Sequence, residues 1–295
     1  MAFDDLELPT GSFKNVVGGS ATYSAFAASI YAPVRLVAVV GDDFPETTLS
    51  ELASRGVALE GVERAKGKTF RWWGRYDDNL VGRTTIETHL NVFADFRPKI
   101  PAAYKSSPYV MLGNIHPALQ LEVLDQIDAP RLVLADTMNF WIEGEPELLA
   151  AVLKRIDILV INEEEARQLS GEHNITRAAK EILRRGPKQL IIKRGEYGAL
   201  FFDGDAMFFA PAYPLEEVID PTGAGDTFAG GLAGYLAKTG DLSHAGLRRA
   251  IMAGSAAASY CVEAVGTQKV QSLRESDVVH RLELFRKLIE VPSAS

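Results

Sequence analysis

The chain has 295 residues, of which 47% are hydrophobic and 24% are charged, and its formal net charge is −8 at pH 7. This composition is typical of a globular protein with one large core or two unequal lobes, and the negative charge disfavours nucleic acid or an anionic membrane as a partner. The chain has one cysteine, no apolar run long enough to span a bilayer and no signal-peptide pattern, so we expect a cytoplasmic protein.

Short apolar runs alternate along most of the chain with amphipathic stretches. The apolar runs predict buried strands at 34–40, 109–112, 131–135, 158–161 and 189–192. The amphipathic stretches predict helices at 47–55, 119–126, 147–154, 163–169 and 176–185. This alternation predicts an α/β fold whose mostly parallel sheet is covered on both faces, with ligands at the carboxyl ends of its strands.

Two regions depart from the alternation. Residues 68–96 interleave aromatic, β-branched and charged residues and contain turn signals, which predicts antiparallel hairpin strands. The last third of the chain predicts helices at 228–238, 243–262 and 277–289, followed by a tail at 290–295 that we expect to fray.

The most informative segment is 220–231, with the sequence Asp-Pro-Thr-Gly-Ala-Gly-Asp-Thr-Phe-Ala-Gly-Gly. At the first turn of a helix, small residues let the N–H groups of Gly223, Ala224 and Gly225 approach an anion closely. A carboxylate there repels phosphate, but Asp226 is placed to accept a proton from a hydroxyl that attacks the phosphate. The combination predicts phosphoryl transfer to an alcohol, with Asp226 as the general base.

The simpler alternative is that Asp226 or Thr227 only caps a helix, since both residue types are favoured at that position. The residues that follow argue against this alternative. Gly230, Gly231 and Gly234 each cost about 1 kcal/mol relative to Ala inside a helix. Because these three glycines lower the stability of the helix, their presence predicts that the helix packs very closely against another backbone or a ligand.

Residues 220–228 resemble the C-terminal signature of the pfkB family of carbohydrate and nucleoside kinases, which have the ribokinase-like fold. Other segments resemble further motifs of that family, in the family's order and spacing. These segments are Gly18-Gly19 with the alanine-rich stretch to 28, the glycine–aspartate segment 39–44, Asn162 to Glu165, and 193–198.

The resemblance implies a single ribokinase-like kinase domain over residues 1–295. Its fold is a three-layer α/β sandwich with a mostly parallel central sheet and a small β-sheet lid. The lid is formed mainly by about 68–96, together with the N-terminal segment 5–17. Such a lid excludes water, which matters because hydrolysis of ATP competes with transfer to the acceptor. A homodimer through this lid is a further expectation.

The resemblance also implies the ligands: ATP as the donor, Mg²⁺, a small sugar or nucleoside as the acceptor, and a monovalent cation such as K⁺ near 220–222 and 264–267. Asn162 and Glu165 are expected to position Mg²⁺ indirectly, through water and the phosphates. The residues implied to bind the nucleotide are Asn162, Glu165, Lys193, Gly195 and Gly198. The residues implied to bind the acceptor are Asp4, Gly18, Gly19 and Tyr23.

Three of these positions depart from the family pattern. Asp4 fits an aspartate that binds sugar hydroxyls, but the strand expected before it is missing from the sequence. Tyr23 stands where many members carry asparagine, which changes one hydrogen bond to the sugar or replaces it by stacking. Lys193 replaces a small hydroxyl residue, and it either reaches a nucleotide phosphate or extends to solvent.

The acceptor has three candidate classes. A nucleoside is favoured by aromatic residues on which a nucleobase could stack. These residues are Phe70, Trp72, Trp73, Tyr76, Phe140 and Trp141. The alternative is that they face the lid's own core or a dimer partner. Simple sugars are an equal candidate. Arginines of the lid offer a phosphofructokinase-like alternative that binds a sugar phosphate: Arg71, Arg75 and Arg83. A non-catalytic sugar or nucleotide sensor on the same fold is the rival from another class, and the intact Asp226 argues against it.

Overall fold

The computed structural model describes residues 1–290, so the tail expected to fray lies almost entirely outside the described residues. The strands are β1 (Ala2–Leu8), β2 (Gly11–Gly18), β3 (Val34–Val40), β4 (Val57–Arg64), β5 (Arg71–Tyr76), β6 (Arg83–His89), β7 (Tyr109–Leu112), β8 (Leu132–Asp136), β9 (Ile158–Asn162), β10 (Gln189–Lys193), β11 (Ala199–Asp203) and β12 (Ala206–Ala210). The helices are α1 (Ser20–Ala28), α2 (Glu46–Ser54), α3 (Pro117–Leu124), α4 (Asn139–Gly144), α5 (Pro146–Leu153), α6 (Glu163–Ser170), α7 (Ile175–Arg184), α8 (Ala224–Thr239), α9 (His244–Cys261), α10 (Gln268–Ser272) and α11 (Glu275–Ile289). None of the helices within residues 1–290 is long and apolar enough to cross a bilayer.

The large sheet has six strands in the order β12-β11-β10-β9-β8-β7. β7, β8, β9 and β10 run parallel to their neighbours, and β11 and β12 add two antiparallel strands beyond β10. The predicted strands from 109 to 192 coincide with β7–β10 to within a residue. The mostly parallel sheet and the α/β class are therefore confirmed.

The first predicted strand lies outside this sheet. β3 forms a separate two-stranded parallel sheet with β4, in which Val34 is paired with Val57. The sequence did not predict β4, because Glu60, Gly61 and Glu63 interrupt its apolar pattern. It also did not predict β11 and β12, which are short strands joined by a tight turn.

Two apolar layers cover the faces of the large sheet. One face packs against α3, α5, α6 and α7, and the other against α8 and α9. The glycines of α8 explain how closely it packs. A Cβ added at Gly230 would collide with the carbonyl oxygen of Ser24, and one at Gly234 would lie 2.6 Å from that of Ala28. The close approach predicted for this helix is thus an approach to the backbone of α1.

The small sheet has four strands in the order β2-β1-β5-β6. β5 and β6 form the hairpin predicted within 68–96, and β1 joins β5 in parallel. The expectation that the strand before Asp4 is missing is wrong, because β1 begins at Ala2 and runs through Asp4, which pairs with Trp72. The N-terminal segment 5–17 expected in the lid covers the end of β1 and most of β2, and the start of β1 was missed because this seven-residue strand carries three acidic residues.

The two faces of the small sheet differ in chemistry. Asp4 and Trp72 are paired and therefore share the inner face, where Leu6 and Tyr76 are buried. The outer face carries ion pairs, in which Arg71 contacts Asp5 at 2.8 Å and Arg75 contacts Glu7 at 2.5 Å. Trp73 belongs to this outer face and donates its Nε1–H to Glu7 at 3.1 Å.

Candidate active site

The start of α8 forms the centre of the candidate site. Gly223 precedes the helix in the left-handed region, with φ of 75°, and a Cβ there would collide with the ring of Tyr23. α8 begins at Ala224, which agrees with the first turn predicted for 223–226 and lies four residues before the start of the helix predicted at 228–238. The Ala224 N–H donates to Pro221 O at 3.3 Å, whereas within residues 1–290 the N–H groups of Gly223 and Gly225 have no partner. This loop offers unpaired N–H groups to an anion.

Asp226 lies in the first turn of α8, beside these N–H groups. Burial raises the pKa of Asp226 above its ordinary value, and the Ser20 hydroxyl and the ammonium of Lys193 oppose that rise. Ser24 Oγ donates to the Asp226 carbonyl at 3.1 Å and joins α1 to this turn. A carboxylate of raised pKa accepts a proton more readily, which suits a general base.

Asp4 faces the same space from the small sheet. It is buried, and burial, followed by the negative charges of Asp220 and Asp226, raises its pKa from 3.8 to about 7. A Cβ added at Gly18 would collide with the Asp4 carboxylate, and one at Gly19, whose φ is 84°, would lie 2.8 Å from Ala2 N. Asp4 and Asp226 therefore come from opposite sides of the site, and both glycines make the close approach of β1 and β2 possible.

Tyr23 lies beneath this loop rather than in the open part of the site. Its side chain is 1% exposed and belongs to an apolar cluster with Phe26 and Leu36. Its ring packs against Gly223, and its buried hydroxyl has no hydrogen-bond partner within residues 1–290. In this position the ring supports the left-handed turn, and it is not exposed for stacking on a ligand.

The carboxyl edge of the large sheet brings Asn162 and Glu165 to the same region. They form a capping box at the start of α6: Glu165 N donates to Asn162 Oδ1 and Asn162 N donates to Glu165 Oε2, both at 2.8 Å. Glu165 is buried, and burial raises its pKa while Lys193 lowers it. Within residues 1–290, Glu165 Oε1 has no hydrogen-bond partner, so one carboxylate oxygen is left to accept from a water.

Lys193 ends β10 and points into the site, not to solvent. Its side chain is 19% exposed, and its Nζ lies 3.6 Å from Asp136 Oδ2. A Cβ built on Gly225 would lie 2.9 Å from the same Nζ, so the ammonium adjoins the first turn of α8. Of the two alternatives for Lys193, the structure excludes extension to solvent.

Gly195 and Gly198 lie in the turn that follows β10. Gly195 is exposed with φ of 56°, and no atom would meet a Cβ there within 4 Å. Gly198 has φ of 83°, and a Cβ would collide with the carbonyl oxygen of Ala210 on β12. The turn is therefore open at Gly195 and tightly packed at Gly198.

Asp220 joins the loop before α8 to the one before α10. It is fully buried and accepts hydrogen bonds from Thr222 N at 2.9 Å and Gly266 N at 2.8 Å. The Thr222 hydroxyl donates to Tyr76 Oη at 3.1 Å, which connects the small sheet to this loop. Asp220 thus holds the loop in place from beneath.

Comparisons with known proteins agree with this geometry. The model of the pfkB family carbohydrate kinases matches residues 3–273. The chain belongs to the pfkB family. It is therefore a kinase of the sugar and nucleoside class, and the resemblance of its sequence motifs to that family is confirmed.

Similar proteins carry several substrate names. The cytidine kinase of Thermococcus kodakarensis is 33% identical over 241 residues, which cover 80% of this chain and 86% of that protein. The deoxyribokinase of Salmonella typhimurium is 33% identical over 277 residues, which cover 90% of this chain and 87% of that protein. The nucleoside kinase structure from Methanocaldococcus jannaschii, described as a member of the ribokinase family, matches with a TM-score of 0.75 at 22% identity, covering 96% and 94% of the two chains. The ribokinase-like fold is thereby confirmed.

One residue of this pfkB kinase's site, Asp136, was not singled out from the sequence, and Arg83 was considered there only as a partner of a sugar phosphate. Asp136 ends β8, next to the strand of Asn162, and is buried. Burial raises its pKa to about 7, an effect that Lys193 opposes. Burial raises the pKa values of Asp226 and Glu165, and the positive charge of Arg83 in the small sheet lowers them. The signal for Asp136 was a carboxylate closing an otherwise apolar predicted strand, at the sheet edge where ligands bind.

Proposed function

We propose that this pfkB kinase transfers the γ-phosphate of ATP to a hydroxyl, most simply a primary one, of a small sugar or ribonucleoside. The observation that carries this proposal is the start of α8. There a buried carboxylate, Asp226, stands beside the unpaired N–H groups of Gly223 and Gly225. An anion site and a proton acceptor within one helical turn suit an alcohol that attacks a phosphate.

In the proposed step, the acceptor hydroxyl oxygen forms a bond to the γ-phosphorus while the bond from that phosphorus to the β–γ bridging oxygen breaks. The hydroxyl proton passes to the Asp226 carboxylate, and ADP leaves. The unpaired N–H groups of Gly223 and Gly225 face the oxygens of the transferring group, and the Ala224 N–H, which donates to Pro221 O at 3.3 Å, joins them by sharing that hydrogen bond. Their charge stabilisation needs no rearrangement, because the left-handed turn at Gly223 already fixes them.

We propose that Asp4 and the backbone of Gly18 and Gly19 bind the acceptor's hydroxyls. Burying the Asp4 carboxylate opposite Asp226 costs free energy of folding. Carboxylates with pKa values shifted in this way cluster at ligand-binding sites, which supports this role for Asp4. Tyr23 contributes by supporting Gly223. The small sheet would act as the lid, since its inner face carries Asp4 and Trp72.

We propose that the nucleotide lies along the carboxyl edge of the large sheet, past Gly195 and Gly198, with Lys193 beside its phosphates. The donor set of Asn162 and Glu165 fits Mg²⁺ held through water, since Asn162 Oδ1 and Glu165 Oε2 already accept hydrogen bonds and Glu165 Oε1 is the oxygen of this pair left without one within residues 1–290. Mg²⁺, when bound, neutralises charge on the phosphates. A monovalent cation at 220–222 and 264–267 is part of the same proposal, and Asp220 supports it by joining these loops.

The small sheet argues against a sugar-phosphate acceptor. Arg71 and Arg75 would supply much of the positive charge for a second phosphate, but both are paired with acidic residues on the outer face. Only Arg83, of the three lid arginines considered, acts on the carboxylates of the site. A simple sugar or a nucleoside therefore fits better than a sugar phosphate.

The variant Asp226→Asn tests the proposal. We expect kcat to fall by about 10²- to 10⁴-fold, while the Kd values for ATP and the acceptor stay nearly unchanged, because the carboxylate acts on a proton. The acceptors to compare are cytidine, adenosine, ribose, deoxyribose and fructose, with Mg²⁺ and with K⁺ or Na⁺. Asp241→Asn is the control, since Asp241 is paired with Arg249 at the surface. Activity of Asp226→Asn within threefold of the wild type would refute the role, and acceptor binding without turnover in the wild type would favour a sensor.

We further propose a homodimer through the small sheet. β6 is an edge strand exposed along its length, and Val81, Ile86 and Leu90 are exposed apolar residues on or beside it. Exposed edge strands favour pairing with another chain. Light scattering on the wild type and on Ile86→Lys measures this directly, and a monomeric wild type would refute it.

A further inference from the structure

We propose that Lys193 binds the β- and γ-phosphates of the nucleotide at the start of α8, and that Asp136 is the positioning residue that aims its ammonium there. The inference rests on the proposed function and deepens it. It assigns a role to Asp136, which belongs to none of the sequence motifs. It also assigns a contact with the phosphates to Lys193, which replaces a small hydroxyl residue of the family pattern.

The first argument is the placement of the pair. Asp136 ends β8 and Lys193 ends β10, on either side of β9, so both side chains reach the carboxyl edge of the sheet. The 3.6 Å between Asp136 Oδ2 and Lys193 Nζ makes an ion pair but is too long for a hydrogen bond. The ammonium is thus held near Asp136, and its N–H donors remain available for a ligand.

The second argument is the position of the ammonium against α8. Because Gly225 has no side chain, the Lys193 ammonium can lie close to the first turn of α8. A Cβ at Gly225 would lie 2.9 Å from Lys193 Nζ. The amino end of a helix carries partial positive charge and favours an anion. Unpaired N–H groups and the Lys193 ammonium converge on one space, so both contribute to binding an anion there.

The third argument is that the carboxylate beside the lysine is fixed in one place. Asp136 is itself fixed at the strand end: Thr137 N donates to its Oδ1 at 2.9 Å, and Gln120 Nε2 donates to its carbonyl at 3.0 Å. A fixed carboxylate holds the flexible lysine chain in one orientation.

The experiment measures the binding of ADP, AMP and adenosine by calorimetry. In Lys193→Met, we expect the affinity for ADP to fall about 10- to 100-fold, the usual effect of losing a charged hydrogen-bond partner. The affinities for AMP and adenosine should change less than threefold, because neither carries a β-phosphate. Lys193→Arg keeps the charge and should retain most of the ADP affinity, which separates a loss of charge from a loss of packing.

Asp136 is tested with a double-mutant cycle. Asp136→Asn should weaken ADP binding when Lys193 is present and have no further effect in Lys193→Met, because Asp136 acts through the lysine. Lys188→Met is the control: this lysine stands near the opposite end of β10, paired with Asp157 at the surface, and its loss should leave ADP binding unchanged.

The outcomes separate this inference from the proposed function. If the wild type phosphorylates an acceptor and Lys193→Met binds ADP within twofold of the wild type, the inference is wrong and the proposed function stands. If the effects of Asp136→Asn and Lys193→Met are additive, Asp136 does not position the lysine. If the wild type neither binds ADP nor transfers phosphate, both proposals are wrong.

Discussion

Replacing Asp4 with asparagine should stabilise the folded protein at neutral pH while weakening acceptor binding. Asp4 is 4% exposed, and burial together with Asp220 and Asp226 raises its pKa from 3.8 to about 7. The folded state therefore holds this proton more tightly than the unfolded state. The stability that Asp4 contributes is fully present below pH 3.8 and is lost as the pH rises to about 7.

The pKa values set the magnitude. Each pH unit between the folded and unfolded pKa is worth about 1.36 kcal/mol. The interval from 3.8 to about 7 therefore corresponds to an upper limit of about 4 kcal/mol for keeping Asp4 ionised in the fold. Asparagine has a similar shape and no charge. We expect the free energy of unfolding of Asp4→Asn, relative to that of the wild type, to rise by about 2–4 kcal/mol as the pH increases from 4 to 7. Above pH 7 this difference should stay constant.

Urea unfolding of both proteins at several pH values measures this difference, and calorimetry measures acceptor binding. Asp5→Asn is the matched control: Asp5 is the next residue of β1, faces outward and is paired with Arg71. Asp5 accepts hydrogen bonds from Arg71 and from Asn15 N in a partly buried pair, so its loss should cost about 1–3 kcal/mol and should not stabilise the fold as Asp4→Asn does. A stability difference for Asp4→Asn that does not change with pH, or an unchanged acceptor Kd, would refute the reasoning.

Two further predictions concern the loop and the small sheet. Gly225→Val should keep native circular dichroism, because Gly225 has an ordinary helical φ. The variant should lose nucleotide binding or turnover, because its side chain would meet the Lys193 ammonium. Normal kinetics would show that no anion binds there. Trp72→Ala should raise the KM for a nucleoside by the equivalent of about 1–3 kcal/mol and leave the KM for ATP unchanged, whereas Trp73→Ala, on the outer face, should change neither. If neither variant distinguishes nucleosides from sugars, the stacking argument is wrong.

The parts of the site that the sequence predicted are local ones. The small residues and the carboxylate of segment 220–226 predicted Gly223, Gly225 and Asp226 at the start of a helix, and the structure has them there, because a few neighbouring residues determine a helix start. The apolar runs also predicted β7 to β10, whose central strands are buried on both faces and therefore read as continuous apolar segments. Local sequence was sufficient for both features.

The parts that the sequence did not predict depend on strand pairing. Whether Trp72 or Trp73 faces inward follows from the register between β1 and β5, and β1 is an acidic strand that does not show an apolar pattern. The pairing of Asp136 with Lys193 likewise depends on β8 and β10 lying on either side of β9. Residues 57 positions apart meet only through the order of the sheet, which propensity and periodicity do not specify.

The charges of the site constrain how a nucleotide can enter it. Several carboxylates surround the space at the start of α8, and burial raises the pKa of each: Asp4, Asp136, Glu165, Asp220 and Asp226. Lys193, Arg83 and the N-terminal ammonium are the cations within residues 1–290 that lower the pKa of one or more of them. A triphosphate adds further negative charge, which these cations and the N–H groups of the loop do not balance against so many carboxylates. If the nucleotide binds here as we propose, it needs a cation that arrives with its phosphates, and Lys193, which adjoins Gly225, is a positive charge that the protein contributes beside them.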